Sequence, residues 1–236
     1  MRIAAFFALL SIVSLPSFGQ EEQPIVADRP GFADGAATVG NAVFQVETGL
    51  TVNRQDDETL TLPTLLRYGF GGRFELRIES EVAAFAEGDA ELAPIAAGFK
   101  LRLTDGALPL ALMAKVQPPS GEGSLRTDGF EGEARLVSDI DLGSGFTLTP
   151  NAGLEVTDEQ EATALLAMTL EKEIGNALPF VDFEMRTANG PTSVIADAGV
   201  AWIVGRDTQL DVSGGFDLAG DDYPEWFVAA GFSRRF

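Results

Sequence analysis

The sequence predicts an all-β fold, a single antiparallel up-and-down transmembrane β-barrel of about twelve strands with short periplasmic turns and longer extracellular loops. Three observations point there. Stretches of roughly ten residues alternate apolar and polar side chains, which is the period of a half-buried strand and not of a helix. Their connections are by turns tight and long, which puts short turns on one rim and longer loops on the other. The last stretch runs to an aromatic residue, Phe236.

Two segments of another character precede the strands. Met1 and Arg2 lead into an apolar run from Ile3 to Leu15, and the small residues Ser17 and Gly19 suit a signal peptidase cutting before Gln20. Residues 1–19 are therefore expected to be a cleaved signal peptide that exports the chain to the outer membrane of a Gram-negative cell. The run is too short for a membrane-spanning helix, which needs about 20 residues. Residues 20–40, with Pro24, Pro30 and Gly31, do not alternate. They are expected to lie in the periplasm or to fold partly into the lumen, leaving 41–236 as the barrel.

The expected strands cover about 42–53, 59–69, 74–85, 94–104, 108–117, 131–142, 146–156, 162–173, 178–187, 193–204, 209–218 and 225–236. In the third, Phe74, Leu76, Ile78 and Val82 share one face while Glu75, Arg77, Glu79 and Glu81 share the other. In the sixth, Glu131, Glu133, Arg135, Asp139 and Asp141 oppose Ala134, Leu136, Ile140 and Leu142. In the eleventh, Gln209, Asp211, Ser213 and Asp217 oppose Leu210, Val212, Phe216 and Leu218. Tight connections at Gly69–Gly72, Thr104–Ala107, Gly143–Gly145, Ile174–Ala177 and Gly205–Thr208 take every second place. An even strand count follows, with both termini on the short-turn rim.

Composition removes several classes of function. The formal charge is −20, and −21 once residues 1–19 take Arg2 away, so a nucleic-acid partner is not expected, because phosphate neutralisation needs a basic surface. The chain has no cysteine, hence neither disulfides nor a lipidated cysteine, and a large hydrogen-bonded sheet must hold it together. It has no histidine either, which removes serine–histidine and cysteine–histidine catalysis. An enzyme would need a carboxylate pair such as Glu79 and Glu81, and nothing singles those two out. No enzymatic activity, cofactor or metal is expected. The acidic loops at Asp56-Asp57-Glu58, Glu87-Gly88-Asp89 and Asp217 with Asp221-Asp222 lack the ordered oxygen spacing of a calcium loop. Strand alternation accounts for Asp139-Ile140-Asp141. Gly69-Phe70-Gly71-Gly72 lacks the Lys-Ser/Thr of a phosphate loop.

A soluble sandwich also alternates, so the period alone does not choose the solvent on each face. The final strand decides for the membrane. Gly231, Phe232 and Phe236 resemble the signal read by the outer-membrane assembly machinery, a glycine five residues before a terminal aromatic, although Arg234 stands where a second aromatic is usual. Tyr68, Phe70, Phe74, Phe146, Phe180, Tyr223 and Trp226 fall near strand ends, as interfacial girdles do. The expected partners are that machinery, outer-membrane lipid with lipopolysaccharide, and a small-molecule solute.

Several segments resemble the family named for the MetA pathway of phenol degradation, a family of outer-membrane transporters. They are Asp28-Arg29-Pro30-Gly31-Phe32, Phe44-Gln45-Val46-Glu47-Thr48-Gly49, Leu62 to Phe70, Phe74 to Ile78, and Trp226 to Phe236. The resemblance runs from about residue 27 to the end, strong at both ends and thin between. It implies passage of small, aromatic or hydrophobic molecules across the outer membrane, in a family whose name carries little about mechanism.

Alternation sends charges of both signs inward: Glu47, Arg67, Glu75, Arg77, Glu79, Glu81, Lys100, Arg102, Lys115, Glu131, Glu133, Arg135, Glu155, Asp182, Glu184, Arg186, Asp197 and Asp211. Such a wall is either a polar conduit that selects solutes or a salt-bridged filling of a narrow barrel. Basic residues gather on the earlier strands and acidic ones on the later, which either sets a transverse field or reflects pairing between neighbours. Asp28, Arg29, Pro30, Gly31 and Phe32 form a candidate plug at the periplasmic mouth, with Arg29 pairing to a lumen carboxylate. The alternative is a loose tail.

Overall fold

The computed structural model describes residues 23–55, 58–86, 89–157, 162–188, 190, 192–220 and 222–236. Residues 1–19, expected to be a signal peptide, residues 20–22, and Asp56, Asp57, Glu87, Gly88 and Asp221 of the acidic loops lie outside the described residues. One antiparallel sheet contains fourteen strand segments. They are β1 (Phe44–Arg54), β2 (Glu58–Phe70), β3 (Phe74–Ala86), β4 (Asp89–Glu91), β5 (Ile95–Arg102), β6 (Leu110–Gln117) and β7 (Glu131–Ser138). Then follow β8 (Ile140–Gly143), β9 (Phe146–Val156), β10 (Ala162–Lys172), β11 (Ala177–Thr187), β12 (Thr192–Ile203), β13 (Thr208–Ala219) and β14 (Trp226–Arg235).

Of these, β4 pairs only with β3, and β8 prolongs β7 beyond Asp139 along the same edge of β9. The other twelve close into a barrel, each paired with its neighbours and β14 with β1 from Gln45↔Arg235 to Arg54↔Trp226. Closure leaves none of these twelve as an edge strand, the condition for a sheet in hydrocarbon, where an unpaired backbone amide has no water to turn to. At the seam the Phe236 amide donates to Phe44 O at 2.8 Å, and the two rings lie 6.1 Å apart.

The two faces are the inverse of a soluble protein. Val228 is 58% exposed and its neighbour Ala229 only 7%, and the pattern repeats around the barrel. Leu76, Ile78, Leu136, Leu154, Val181, Val212 and Phe216 all point out. A continuous apolar belt of this kind is stable only against lipid. Towards the short-turn rim it meets an aromatic girdle, Tyr68, Phe70, Phe74 and Phe99, in successive ring contacts 4.8, 6.1 and 5.8 Å long. The β2–β3 turn there has Gly71 and Gly72 at φ +59° and +72°, the geometry that matches the twist of a tight hairpin.

Two irregularities depart from simple alternation. Register between β2 and β3 shifts between Thr61 and Pro63, at a residue with no N–H to give to the ladder. The sixth expected strand, 131–142, is interrupted at Asp139. The non-alternating segment 23–43 runs inside the barrel, with Ala36 packed on Ala111, Met113 and Val137.

Candidate functional site

The lumen is built from the inward residues of the strands and from segment 23–43. Arg67 on β2 is its centre. Its guanidinium grips Glu75 on β3 with two bonds, 2.8 and 3.0 Å, and reaches Glu47 on β1 at 2.7 Å. Glu47 in turn accepts the Asp28 and Arg29 amides, both at 3.0 Å. Asp28 completes the cluster by meeting Lys100 Nζ at 2.7 Å, Arg67 at 3.4 Å, and Arg77. Arg67, Glu47, Glu75 and Lys100 are all at most 1% exposed. Burial works against ionisation of Asp28, but Arg67, Lys100 and Arg77 outweigh it and hold the carboxyl well below its usual range. At Asp34, burial prevails over the Arg77 contact of 3.0 Å and pushes the group up to about 6.

The segment then crosses to the far strands. Asp34 exchanges two bonds of 2.9 Å with the Asn151 side chain on β9, and the Ala36 amide donates to Asp139 at 2.8 Å. The Phe32 and Ala33 amides both point at Asp182 on β11. Arg29 pairs with Asp211 on β13 at 3.3 Å, and its carbonyl accepts from Gln209 at 2.6 Å. Its guanidinium lies across Gly49 and Gly231, partners in the β1–β14 register, where a Cβ on either would collide with it.

The remaining inward charges sit nearer the loop rim. Lys115 lies 3.1 Å from Glu79 and 3.4 Å from Glu133. Arg135 joins Glu133 and Glu184, and Arg186 joins Glu184 and Glu155. Glu131 accepts from Gln117 at 3.0 Å, and Glu81 is exposed on the lumen wall. Arg102 is near the short-turn rim, 3.0 Å from Asp105. Neither side-chain oxygen of Asp197 has a hydrogen-bond partner among the described residues. The basic residues on the earlier strands are thus largely paired with neighbouring acids.

Segment 23–43 separates open space on its two sides. On the loop side is a cavity of about 630 Å³, reaching Pro94, Leu125 and Thr127 of the long connections and floored by Asp28, Arg29, Phe32 and Asp34. Below is one of about 200 Å³ that Asp28 and Arg29 also border. Among the described residues no group of three or more His, Cys, Asp or Glu could hold a metal ion. The walls can hydrogen-bond a polar solute and order its charges.

Comparison with family models matches residues 27–236 to "Putative MetA-pathway of phenol degradation". The chain belongs to this family. A comparison with curated proteins found no match. Among solved structures, an outer-membrane channel from Pseudomonas putida F1 superposes with a TM-score of 0.61 at 11% identity, over 93% of this chain and 100% of that one. The NanC porin gives 0.60 at 6% identity, over 81% and 98%. The KdgM porin in complex with disordered oligogalacturonate gives 0.58 at 10%, over 80% and 99%. The chain therefore shares their fold, that of an outer-membrane barrel.

The expected lumen residues, chosen by charge, leave out Gln45 and Asn151, and Gln209 too although it shares the polar face of its strand with Asp211. Each is an inward position by period 2, but only charged residues carried a signal in the sequence. Asp139 was visible only as part of a strand. Its carboxylate serves Ala36 because the strand breaks there.

Proposed function

We propose that this MetA-pathway protein is an outer-membrane channel for small molecules, aromatic or hydrophobic ones among them, with its lumen closed part-way by its own segment 23–43. The carrying observation is the 630 Å³ cavity, walled by charges of both signs and floored by that segment. The inward charged residues act as the conduit wall, and Asp28 to Phe32 act as the plug. The apolar belt meets outer-membrane lipid and lipopolysaccharide, and Gly231, Phe232 and Phe236 address the chain to the assembly machinery. Family membership and the porin-like fold support the reading. A fold alone does not name a cargo.

Planar-bilayer recordings test it. The mature chain should give discrete conductance steps, and deletion of residues 20–40 should enlarge them. A second reading, a structural barrel whose lumen carries nothing, is favoured by the buried ion network around Arg67. A clean preparation that stays silent with and without the segment would establish it. Conductance and thermal stability both unchanged by the deletion would remove the plug.

A further inference from the structure

The acidic wall of β11, β12 and β13 holds one carboxylate with no partner among the described residues. Asp182 takes the Phe32 and Ala33 amides, and Asp211 takes Arg29. Asp197 stands opposite Asp182 in the β11–β12 register, is 6% exposed, and neither of its buried oxygens meets a donor. The second oxygens of Asp182 and Asp211 are also unpartnered. A buried carboxylate without a counter-charge is costly, and the cost is relieved by a cation or a proton.

Beside Asp197 lies a cavity of about 220 Å³. Asp197 and Ser213 form its polar end, while Pro30, Phe32, Tyr223 and Phe227 form its apolar side. Phe32 and Phe227 meet edge to face, centroids 6.0 Å apart. Gly215, the register partner of Asp197, makes the slot possible. A Cβ there would stand 2.5 Å from the Phe227 ring and 2.6 Å from Asp197 Cβ. Arg29 borders the cavity too; its Nη2 pairs with Asp211, while its Nε has no hydrogen-bond partner among the described residues.

An unpartnered carboxyl at the end of an aromatic slot fits an ammonium group, which can donate to the carboxylate formed on binding while its apolar body lies on the rings. A bare divalent ion wants six or so oxygen ligands, and no acidic cluster among the described residues provides them. We propose that this cavity is a binding subsite for a small organic cation, a primary ammonium carrying one ring or a short apolar body, with Asp197 as its counter-ion. The proposal rests on the passage reading only in naming a solute class for the same lumen.

The test is calorimetric titration of the full mature chain, refolded in detergent, with benzylammonium and methylammonium and, in competition, with three controls: benzyl alcohol, benzoate and calcium. Benzylammonium should bind and the three controls should not compete. Asp197→Asn should weaken benzylammonium at least about tenfold. Phe227→Leu should weaken benzylammonium more than methylammonium, by about threefold, and this variant decides the matter if Asp197→Asn does not fold. Benzyl alcohol binding as well as benzylammonium, binding unaltered in a folded Asp197→Asn, or calcium displacing benzylammonium would each overturn the proposal. A silent bilayer with ammonium binding intact would sink the passage reading alone. Conductance without ammonium binding would sink only the subsite.

Discussion

Asp28 and Arg29, adjacent in the chain, bind different walls of the barrel: Asp28 is 2.7 Å from Lys100 on β5, and Arg29 is 3.3 Å from Asp211 on β13. The basic residues lie on the early strands and the unpaired acids on the late ones, so one dipeptide of opposite charges can span the interior in only one sense. That orientation fixes which backbone amides reach Glu47 and Asp182. The seat of this segment is thus written as a charge pattern complementary to the barrel's own.

Arg67 is the residue on which that docking depends most. Replacing it with Met leaves Glu47, Glu75 and Asp28 facing one another in a dry site. Breaking a buried ion cluster by removing one partner costs about 3–5 kcal/mol. The midpoint of urea unfolding from lipid vesicles should fall accordingly. Adding Glu75→Gln should recover part of the loss, because the two residues act as one unit. A midpoint unchanged in Arg67→Met would mean that water fills the site.

Gly231 has a packing role separate from any part in assembly. A methyl group there would overlap both Asp211 Oδ1 and the Arg29 guanidinium. Gly231→Ala should push Arg29 off Asp211 at a cost of about 1–3 kcal/mol. Hydrogen exchange at the Phe32 and Ala33 amides should then accelerate by about tenfold for each 1.4 kcal/mol lost. Exchange equal to wild type would show that Arg29 contributes nothing to holding the segment.

The barrel was legible in the sequence because each strand carries its own period, as Phe74 to Ile78 shows. Pairing β14 with β1 followed from an even count. The path of 23–43 was not legible, since a segment without period has no face and its amides bond to distant carboxylates such as Asp139, Asp182 and Glu75. The break at Asp139 was hidden for the opposite reason: its neighbours alternate well enough to read as continuous strand. Asp197 looked like any other inward acid, because being without a partner is a property of three-dimensional neighbours.

The outer belt predicts a clear asymmetry between faces. Val212 lies near the middle of β13 and points to lipid, while Asp211 beside it is buried in the lumen. Val212→Arg places a charge against hydrocarbon and should cost about 2–4 kcal/mol, read as a lowered urea midpoint in vesicles. Val212→Leu should be neutral. Equal stability of the Arg variant would place this stretch of β13 outside the apolar layer.

Docking of the segment should be tightest near pH 4, because its two carboxyls titrate in opposite directions. The folded value of Asp28 is depressed, so its contribution is complete above the unfolded value of 3.8 and disappears as pH falls through the lower folded one. Asp34 is raised to about 6, so its contribution is complete below 3.8 and is lost as pH rises through about 6. Hydrogen exchange at the amides of residues 28–36 should therefore be slowest near pH 4, after correction for intrinsic chemistry, and faster on both sides. Asp34→Asn removes that group's neutral-side loss and leaves the acid-side one, so its docking should weaken less steeply than that of wild type from pH 4 to 8. A profile that falls steadily in one direction, or one that Asp34→Asn leaves unchanged, would show that these two carboxyls do not set the hold of the segment on the barrel.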